Sequence, residues 1–382
     1  MQASIVLHGL RRRVRSPVSV ILALAAISAA TDARAEVNCG LTQLASLPLT
    51  QTSNGMLAIP VTIDGAIEQF VVSINQPISS VSQSLASKRQ FIQKTLQGSE
   101  WSGYGFLTYA GQIAYTKAFI PTIEVGRAAS TTDQVLVTPR PVSPDTSGLL
   151  GLDFLSNFDV ELNFKQMRLN LFSPEHCRGN VVYWGRPYEV LPIVNGDHGF
   201  RYFEMQLDGK PISVSMNIAE EDARMGQADA MAMFGIASGD PRLKLRQDLS
   251  MQSDPNILPD KIPGRPNYRL TATPPKSGSN FYDFQFKALA AGGIVFNNLH
   301  VLLFPQESPQ PCSADKKPIF GGAYVSRCFG YVNLTLGRHE LRQLRLYFAF
   351  KEKNLYVTAA DTDAQTTPST PASGPAAGEP LR

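Results

Sequence analysis

The sequence has few charged residues, few histidines and few cysteines. Of its 382 residues only 18% are charged, five are His and four are Cys, and the formal net charge is +3. Soluble domains average about 25% charged residues, and so small a net charge argues against a nucleic-acid-binding protein. The hydrophobic fraction of 43% excludes a disordered chain. The length allows two or three domains.

Several catalytic and nucleotide-binding motifs are absent as well. There is no G-x-S-x-G elbow, no H-E-x-x-H, no P-loop and no G-x-G-x-x-G after a strand-like segment. The five histidines are scattered along the chain. We therefore expect neither a cofactor nor a metal ion.

The chain also lacks a hydrophobic run long enough to span a bilayer, which takes roughly 20 residues. Its N-terminal apolar run, 18–30, follows a basic cluster at 11–15 and precedes Ala33-Arg34-Ala35. This order is typical of a secretory signal peptide, 1–35; a membrane anchor is the alternative. Removing residues 1–35 takes away five Arg and one Asp, so the net charge falls from +3 to −1. We expect a periplasmic or secreted protein with no membrane span after cleavage.

The C-terminal segment, 361–382, is rich in Thr, Pro, Ala, Ser and Gly and has almost no large apolar side chain. Such a segment buries too little surface to offset the entropy lost on ordering. We predict a disordered tail.

The four cysteines, Cys39, Cys177, Cys312 and Cys328, are an even number in a chain expected to meet an oxidising environment, which favours disulfides. Three pairings exist, and we favour Cys39–Cys177 with Cys312–Cys328 because each pair would link positions within one half of the chain. A metal site is the alternative, but spacings of 138, 135 and 16 residues match no zinc pattern.

The same order of short strands and turns occurs twice. Alternating apolar residues over 57–63 lead into Asp64-Gly65, and the same pattern over 203–207 leads into Asp208-Gly209, as in a hairpin with a two-residue turn. Helix-compatible stretches follow at 81–88 and at 220–233. With 29 Gly and 27 Pro in the chain, each unit reads as all-β with short helices.

The later parts of the two units share their spacing. Leu150-Gly151 and Leu336-Gly337 are each followed four residues after the Gly by a Leu, and a Phe-Lys pair ends fourteen residues after it. These fixed offsets indicate an internal duplication. The polar, Pro-rich stretch 238–279 has no counterpart in the first unit and reads as a long loop.

This order of parts resembles the retropepsin-like aspartic peptidases, particularly exported bacterial proteins with one or two such domains. The resemblance covers about residues 45–175 and 188–358, and the segment 148–155 is its closest motif. It implies two tandem acid-protease β-barrel domains, 36–180 and 185–360, paired as a pseudo-dimer.

The family's catalytic Asp-Thr-Gly is missing from both units. Eight residues after each Asp-Gly turn stand Ser73-Ile74-Asn75 and Asn217-Ile218-Ala219. Neither a hydroxyl nor an amide can share a proton as the two carboxylates do, so we predict no catalytic residue. We expect Ile74 and Ile218 to be buried. Where the family's Gly permits a sharp turn, Asn75 would tolerate that conformation and Ala219 would not.

Four other groups of residues have assigned roles. Asp145-Thr146-Ser147 resembles the catalytic triplet but is expected to be a polar turn, and Asp153 a structural hydrogen-bonding residue. His339 and Glu340 are expected on a solvated face, and 347–350 in the core. The family places its substrate-covering flap at 104–109, which makes Gly103, Tyr104 and Gly105 candidate substrate-binding residues; a packed strand is the alternative.

The sequence therefore favours an exported, catalytically inactive aspartic-peptidase-like protein with a peptide-binding or scaffolding role in the cell envelope. Its expected partner is an extended peptide or unfolded protein segment. One alternative is an active aspartic endopeptidase, with acidic residues elsewhere or in a partner chain supplying the dyad. Another is a purely structural envelope protein.

Overall fold

β-Strands dominate the chain, as expected for an all-β protein. The computed structural model describes residues 40–96, 114, 116–196, 200–246, 280–305, 318–319, 323–324 and 332–360. All of them fall in one compact unit, Asn38–Arg382. The predicted signal peptide 1–35, the flap residues Gly103, Tyr104 and Gly105, and the tail 361–382 lie outside the described residues. Among those described, no helix is long and apolar enough to cross a membrane.

The first half folds into short strands with two one-turn helices. Its elements are β1 (Gln43–Pro48), β2 (Thr50–Gln51), β3 (Leu57–Ile63), β4 (Ala66–Val72), β5 (Ser80–Ser82), α1 (Gln83–Lys88), β6 (Ile92–Thr95), β7 (Thr116–Val125), β8 (Ala128–Thr138), β9 (Gly148–Leu150), α2 (Leu152–Leu155), β10 (Asp159–Asn163) and β11 (Arg168–Phe172). Eight of these strands form one sheet in the order β2-β3-β4-β9-β5-β8-β7-β6, and an extra β3–β7 pairing curls it into a barrel.

The second half repeats this arrangement. Its elements are β12 (Glu189–Pro192), β13 (Val194–Asn195), β14 (Arg201–Leu207), β15 (Lys210–Met216), β16 (Ala223–Gly226), α3 (Gln227–Phe234), β17 (Lys244–Arg246), β18 (Phe281–Ala291), β19 (Ile294–Phe304), β20 (Pro318–Ile319), β21 (Ala323–Tyr324), β22 (Leu334–Leu336), α4 (Arg338–Leu341), β23 (Leu344–Ala349) and β24 (Asn354–Ala359). The barrel order is β13-β14-β15-β22-β16-β19-β18-β17 with an extra β14–β18 pairing, strand for strand the order of the first barrel.

The predicted hairpins are confirmed at both Asp-Gly turns. β3 pairs with β4 from Ala58↔Val71 to Ile63↔Ala66, and β14 pairs with β15 around the second turn. Both turn residues have positive φ in each hairpin, 47° and 77° in the first and 48° and 79° in the second. This is the geometry of a two-residue turn that matches the twist of the strands, and it explains the Asp-Gly sequence.

Two local predictions need correction. The stretch 220–233 is not one helix, because β16 occupies Ala223–Gly226 and α3 begins only at Gln227. β16 pairs with both β19 and β22, so sheet pairing overrides the local helical preference. The stretch 238–279 is not a loop throughout, because β17 within it pairs with β18.

A six-stranded sheet, in the order β1-β11-β10-β23-β24-β12, joins the two barrels. Each half supplies three strands, and β10 meets β23 antiparallel at the centre. Alternate residues such as Leu162 and Leu346 point into the main hydrophobic core that both barrels share. The two barrels are therefore paired through continuous backbone hydrogen bonding.

The opposite face of this sheet is polar yet buried. Glu161 on β10 and Arg345 on β23 form an ion pair, with 2.6 Å between Oε1 and Nε and side chains 0% and 7% exposed. The Arg345 guanidinium also lies 4.3 Å from the Trp184 ring centre. Tyr183 and Asn170 donate further hydrogen bonds to Glu161. A charge buried this deeply is tolerated because these partners surround it.

Cys177, which follows the last strand of the first half, is disulfide-bonded. Its partner lies outside the described residues, as do Cys39, Cys312 and Cys328. The favoured pairing therefore remains a prediction.

Replacing Arg345 by Ala would leave Glu161 as an uncompensated buried charge. We expect a loss of about 3–5 kcal/mol in the free energy of unfolding, measured by urea denaturation. As a control, Lys351→Ala removes an exposed ion pair with Glu175 and should leave the midpoint unchanged. Equal midpoints for both variants would show that the buried pair contributes nothing.

Candidate functional site

Two equivalent loops follow the central strands of the barrels. Ser73 follows β4, and its N–H donates to the carbonyl of Leu150 at 3.0 Å. Asn217 follows β15, and its N–H donates to the carbonyl of Leu336 at 2.9 Å. Ser73 and Asn217 thus occupy the same place in the two halves, as the sequence comparison predicted.

Ser73 uses its hydroxyl to close its own loop. Its Oγ accepts hydrogen bonds from the N–H of Gln76 at 3.0 Å and of Asn75 at 3.4 Å, and the residue is only 1% exposed. A serine in this arrangement satisfies backbone donors in a turn. Its buried oxygen is engaged in stabilising the loop.

Asn217 does the same in the second half. Its Oδ1 accepts from the N–H of Ala219 at 3.0 Å, and the residue is 6% exposed. This is an Asx-turn, in which a side-chain amide replaces a backbone acceptor. An amide does not exchange a proton near neutral pH, so neither loop position supplies an acid or a base.

The residues that flank these two positions are apolar and buried. Ile74 is 4% exposed and Ile218 is 0% exposed, which confirms the expected burial. Ala219 packs in a cluster with Met56 and Leu149, so the loop of the second half is anchored on the first.

Neither loop adopts the conformation that would require the family's glycine. Neither Asn75 nor Ala219 is among the described residues with positive φ. A side chain at these positions therefore carries no left-handed strain, and the loops do not need glycine there.

Asp153 holds the loop of the first half against α2, which confirms its predicted structural role. Its Oδ2 accepts from the Ser79 N–H at 2.8 Å and its Oδ1 from the Ser79 hydroxyl at 2.6 Å. Ser79 Oγ accepts in turn from the N–H of Gly151 at 2.9 Å. The carboxylate is occupied in joining two segments of backbone.

An ion pair takes the equivalent place in the second half. Arg338, 4% exposed, donates from Nε to Glu221 Oε2 at 2.9 Å and from Nη1 to the carbonyl of Ile218 at 3.3 Å. Arg342 also contacts Glu221, at 3.2 Å. In the first half Leu152 and Pro77 occupy these positions and form only backbone hydrogen bonds. The sequence signal for this ion pair is the arginine directly after Leu336-Gly337, which the motif comparison did not use.

The prediction for Glu340 is wrong: the residue is only 4% exposed, while His339 beside it is exposed as predicted. The pKa of Glu340 is raised to about 7, first by burial and then by the negative charges of Asp222 and Glu221, while hydrogen bonds from backbone N–H groups oppose the increase. Among the described residues its Oε2 has no hydrogen-bond partner. α4 turns this side chain inward because Gly337 starts the helix against the 220–222 backbone.

Two further expectations are confirmed. Asp145 lies in a polar turn, where it accepts from the Ser53 N–H at 2.8 Å, and hydrogen bonds from Ser143 and Ser53 lower its pKa. Residues 347–349 are buried in the last hairpin, while Phe350 is half-buried against the main core. Within the described residues, no group of three or more His, Cys, Asp or Glu is arranged to hold a metal ion.

The comparisons with known proteins found similar structures but no related sequence family. No family model matches the chain, and no curated protein matches it. A soybean basic 7S globulin is similar at TM-score 0.43 and 10% identity over 85% of this chain and 99% of that one. Conglutin gamma, a basic 7S globulin from lupine seeds, is similar at TM-score 0.41 and 10% identity over 84% of this chain and 95% of that one.

A retropepsin-like aspartic protease from Rickettsia conorii is similar at TM-score 0.26 and 16% identity, over 35% of this chain and 96% of that one. Because all three TM-scores are below 0.5, the function of this chain has to be inferred from its own geometry.

Adding a methyl group at Gly337 tests how tightly the second loop is packed. An alanine Cβ there would lie 2.3 Å from the Glu221 carbonyl oxygen and 2.5 Å from the Asp222 backbone. We expect Gly337→Ala to lower the free energy of unfolding by about 1–3 kcal/mol through this overlap. Gly239→Ala is the matched control, because a Cβ there meets nothing within 4 Å. Equal melting curves for the two variants would contradict the close packing.

The buried acid Glu340 predicts a pH dependence of stability. Because its pKa is raised from 4.5 to about 7 on folding, its contribution is complete below about pH 4.5 and is lost as pH rises through 7. The loss amounts to about 3 kcal/mol. Glu340→Gln, which stays neutral, should therefore be more stable than wild type at pH 8 and similar at pH 5, as measured by urea unfolding. A constant difference between the two proteins across this range would argue against the shift.

Proposed function

We propose that this chain is an exported aspartic-peptidase-like protein without catalytic activity, which holds an extended peptide or an unfolded protein segment in the cell envelope. The observation that carries the proposal is the pair of equivalent loops. Their positions 73 and 217 hold a serine and an asparagine, and the side-chain oxygen of each accepts hydrogen bonds from its own loop.

An aspartic peptidase needs two carboxylates that share one proton, so that one activates a water molecule and the other donates. Acidic side chains beside these loops have other partners. Glu220 pairs with Arg224 at 2.8 Å. Glu221 is paired with two arginines, and Asp153 is bonded to Ser79. This arrangement disfavours the alternative of an active endopeptidase with a dyad built from neighbouring acids.

Equivalent edge strands support binding of an extended chain. β6 and β17 end the two barrel sheets within the described residues, and each presents an apolar side chain to solvent, Ile92 at 69% and Leu245 at 48% exposure. An edge strand offers unpaired backbone donors and acceptors. An extended peptide can pair with them while its side chains contact the exposed apolar residues.

Export, disulfide bonding and duplication belong to the same proposal. The basic cluster and apolar run at the N-terminus support export, and the half-cystine at Cys177 is consistent with an oxidising compartment. The shared strand order of the two barrels supports an internal duplication. A purely structural envelope protein is the remaining alternative.

Fluorescein-labelled casein, an unfolded polypeptide, tests binding and cleavage in one sample. We expect its fluorescence anisotropy to rise with added protein, while gel electrophoresis shows no pepstatin-sensitive cleavage between about pH 3 and 7. Changing both Ile92 and Leu245 to Asp should weaken binding by about tenfold or more, equivalent to roughly 1.4 kcal/mol.

Ile67→Asp is the matched control, because Ile67 is 72% exposed but lies on β4, away from these edges. Cleavage that is lost on changing a single Asp would overturn the inactive assignment. If casein does not bind, the purely structural role is favoured. If it binds equally well to the double variant, β6 and β17 are not the binding edges.

A further inference from the structure

The segment 173–188 crosses the polar face of the six-stranded sheet on its way from the first half to the second; we call it the strap. Its Val181 and Trp184 pack in a cluster with Tyr347 and Tyr356 of the sheet. The Trp184 indole N–H donates to Thr358 at 2.8 Å. The strap is therefore packed against the sheet that joins the two barrels.

One histidine of the strap lies between two carboxylates from different halves. His176 Nε2 lies 2.5 Å from Asp159 Oδ2 on β10, and its Nδ1 lies 3.6 Å from Glu352 Oε1 in the β23–β24 turn. The three side chains are 2%, 0% and 7% exposed. Glu352 is held by the N–H of Gly179, at 3.0 Å. This cluster fixes the start of the strap to both halves.

The surroundings of Asp159 favour its protonated form. Its Oδ1 is buried and has no hydrogen-bond partner among the described residues, and a second carboxylate lies on the other side of the imidazole. Burial raises the pKa of Asp159 to about 6, although hydrogen bonds from His176 and Tyr347 oppose the increase. An open strap would expose this carboxyl to water and return its pKa toward 3.8.

We propose that the strap is a proton-dependent latch: the cluster of Asp159, His176 and Glu352 retains a proton while the strap lies on the sheet, and losing that proton as pH rises favours release of the part that follows the disulfide-bonded Cys177.

Other titratable and charged groups surround the cluster. They are Tyr347 and Tyr356 on the sheet, the Glu175–Lys351 pair at the edge of the strap, and the Glu161, Arg345 and Tyr183 group further along. Burial is the largest cause that raises the pKa of each of the three tyrosines, and Tyr356 reaches about 12. The tyrosines therefore stay neutral below pH 7.

The direction of the effect follows from proton linkage. Below about pH 4 the open and the closed strap both hold the proton, so opening does not depend on pH. Between about pH 4 and 6 only the closed strap holds it, and opening becomes easier with each rise in pH. Above about pH 6 neither the open nor the closed strap holds the proton, so opening again does not depend on pH.

Amide hydrogen exchange on the purified full chain measures this opening. After correction for the intrinsic pH dependence of exchange, amides of residues 178–186 should exchange up to about tenfold faster per pH unit between pH 4 and 6, because one proton is released. The β18–β19 hairpin is the internal reference; it carries an exposed Asp283–His300 pair. A flat profile in the strap, or the same rise in the hairpin, would overturn the latch.

Two variants locate the proton. Asp159→Asn keeps the shape but cannot ionise, so the strap should lose its pH dependence and stay closed. His300→Gln, in the exposed pair, should leave the dependence unchanged. Fluorescence of Trp184 in a Trp101→Phe background, which removes the other tryptophan, reports the same transition optically. A pH dependence of exchange that persists in Asp159→Asn would overturn the assignment of the proton to Asp159. If that variant does not fold, the exchange profile of the unaltered protein decides.

Discussion

The antiparallel pairing of β10 with β23 is the interaction on which the rest of the molecule depends. Both barrels are continuous with it, since each contributes three strands to the sheet built around this pair. The face toward the barrels is apolar and merges their interiors into one core. The opposite face carries the buried Glu161–Arg345 pair, which Tyr183 and Trp184 of the strap cover. The shared core and the packing of the strap therefore both depend on this junction.

The two loops show how an uncharged polar side chain completes the same turn in both halves. In each half the chain leaves a central strand, is held to the neighbouring strand by one backbone hydrogen bond, and turns around a polar side chain. Ser73 and Asn217 supply the oxygen that such a turn needs, so the local geometry is satisfied without a carboxylate. Burial raises the pKa of two acids elsewhere, Glu340 on α4 and Asp159 under the strap.

Sequence reasoning found the elements whose causes are local. The Asp-Gly hairpins, the apolar-apolar-Gly segments and the loop positions 73 and 217 could be predicted because turn chemistry and period-two alternation lie within a few residues. It missed what depends on partners far along the chain. β16 is a strand only because β19 and β22 flank it. Arg338 meets Glu221 across 117 positions, and Arg345 meets Glu161 across 184.

The register at the centre of the shared sheet also determines which halves can associate. Glu161 stands directly opposite Tyr347, and the matching order of the two halves makes these residues counterparts. Two copies of the first half, brought together in the same way, would place glutamate against glutamate in a buried position, where like charges repel. The actual pairing places an aromatic ring there and an arginine beside it. A difference at one pair of equivalent positions thus makes the second half a fitting partner of the first, and the first half a poor partner of its own copy.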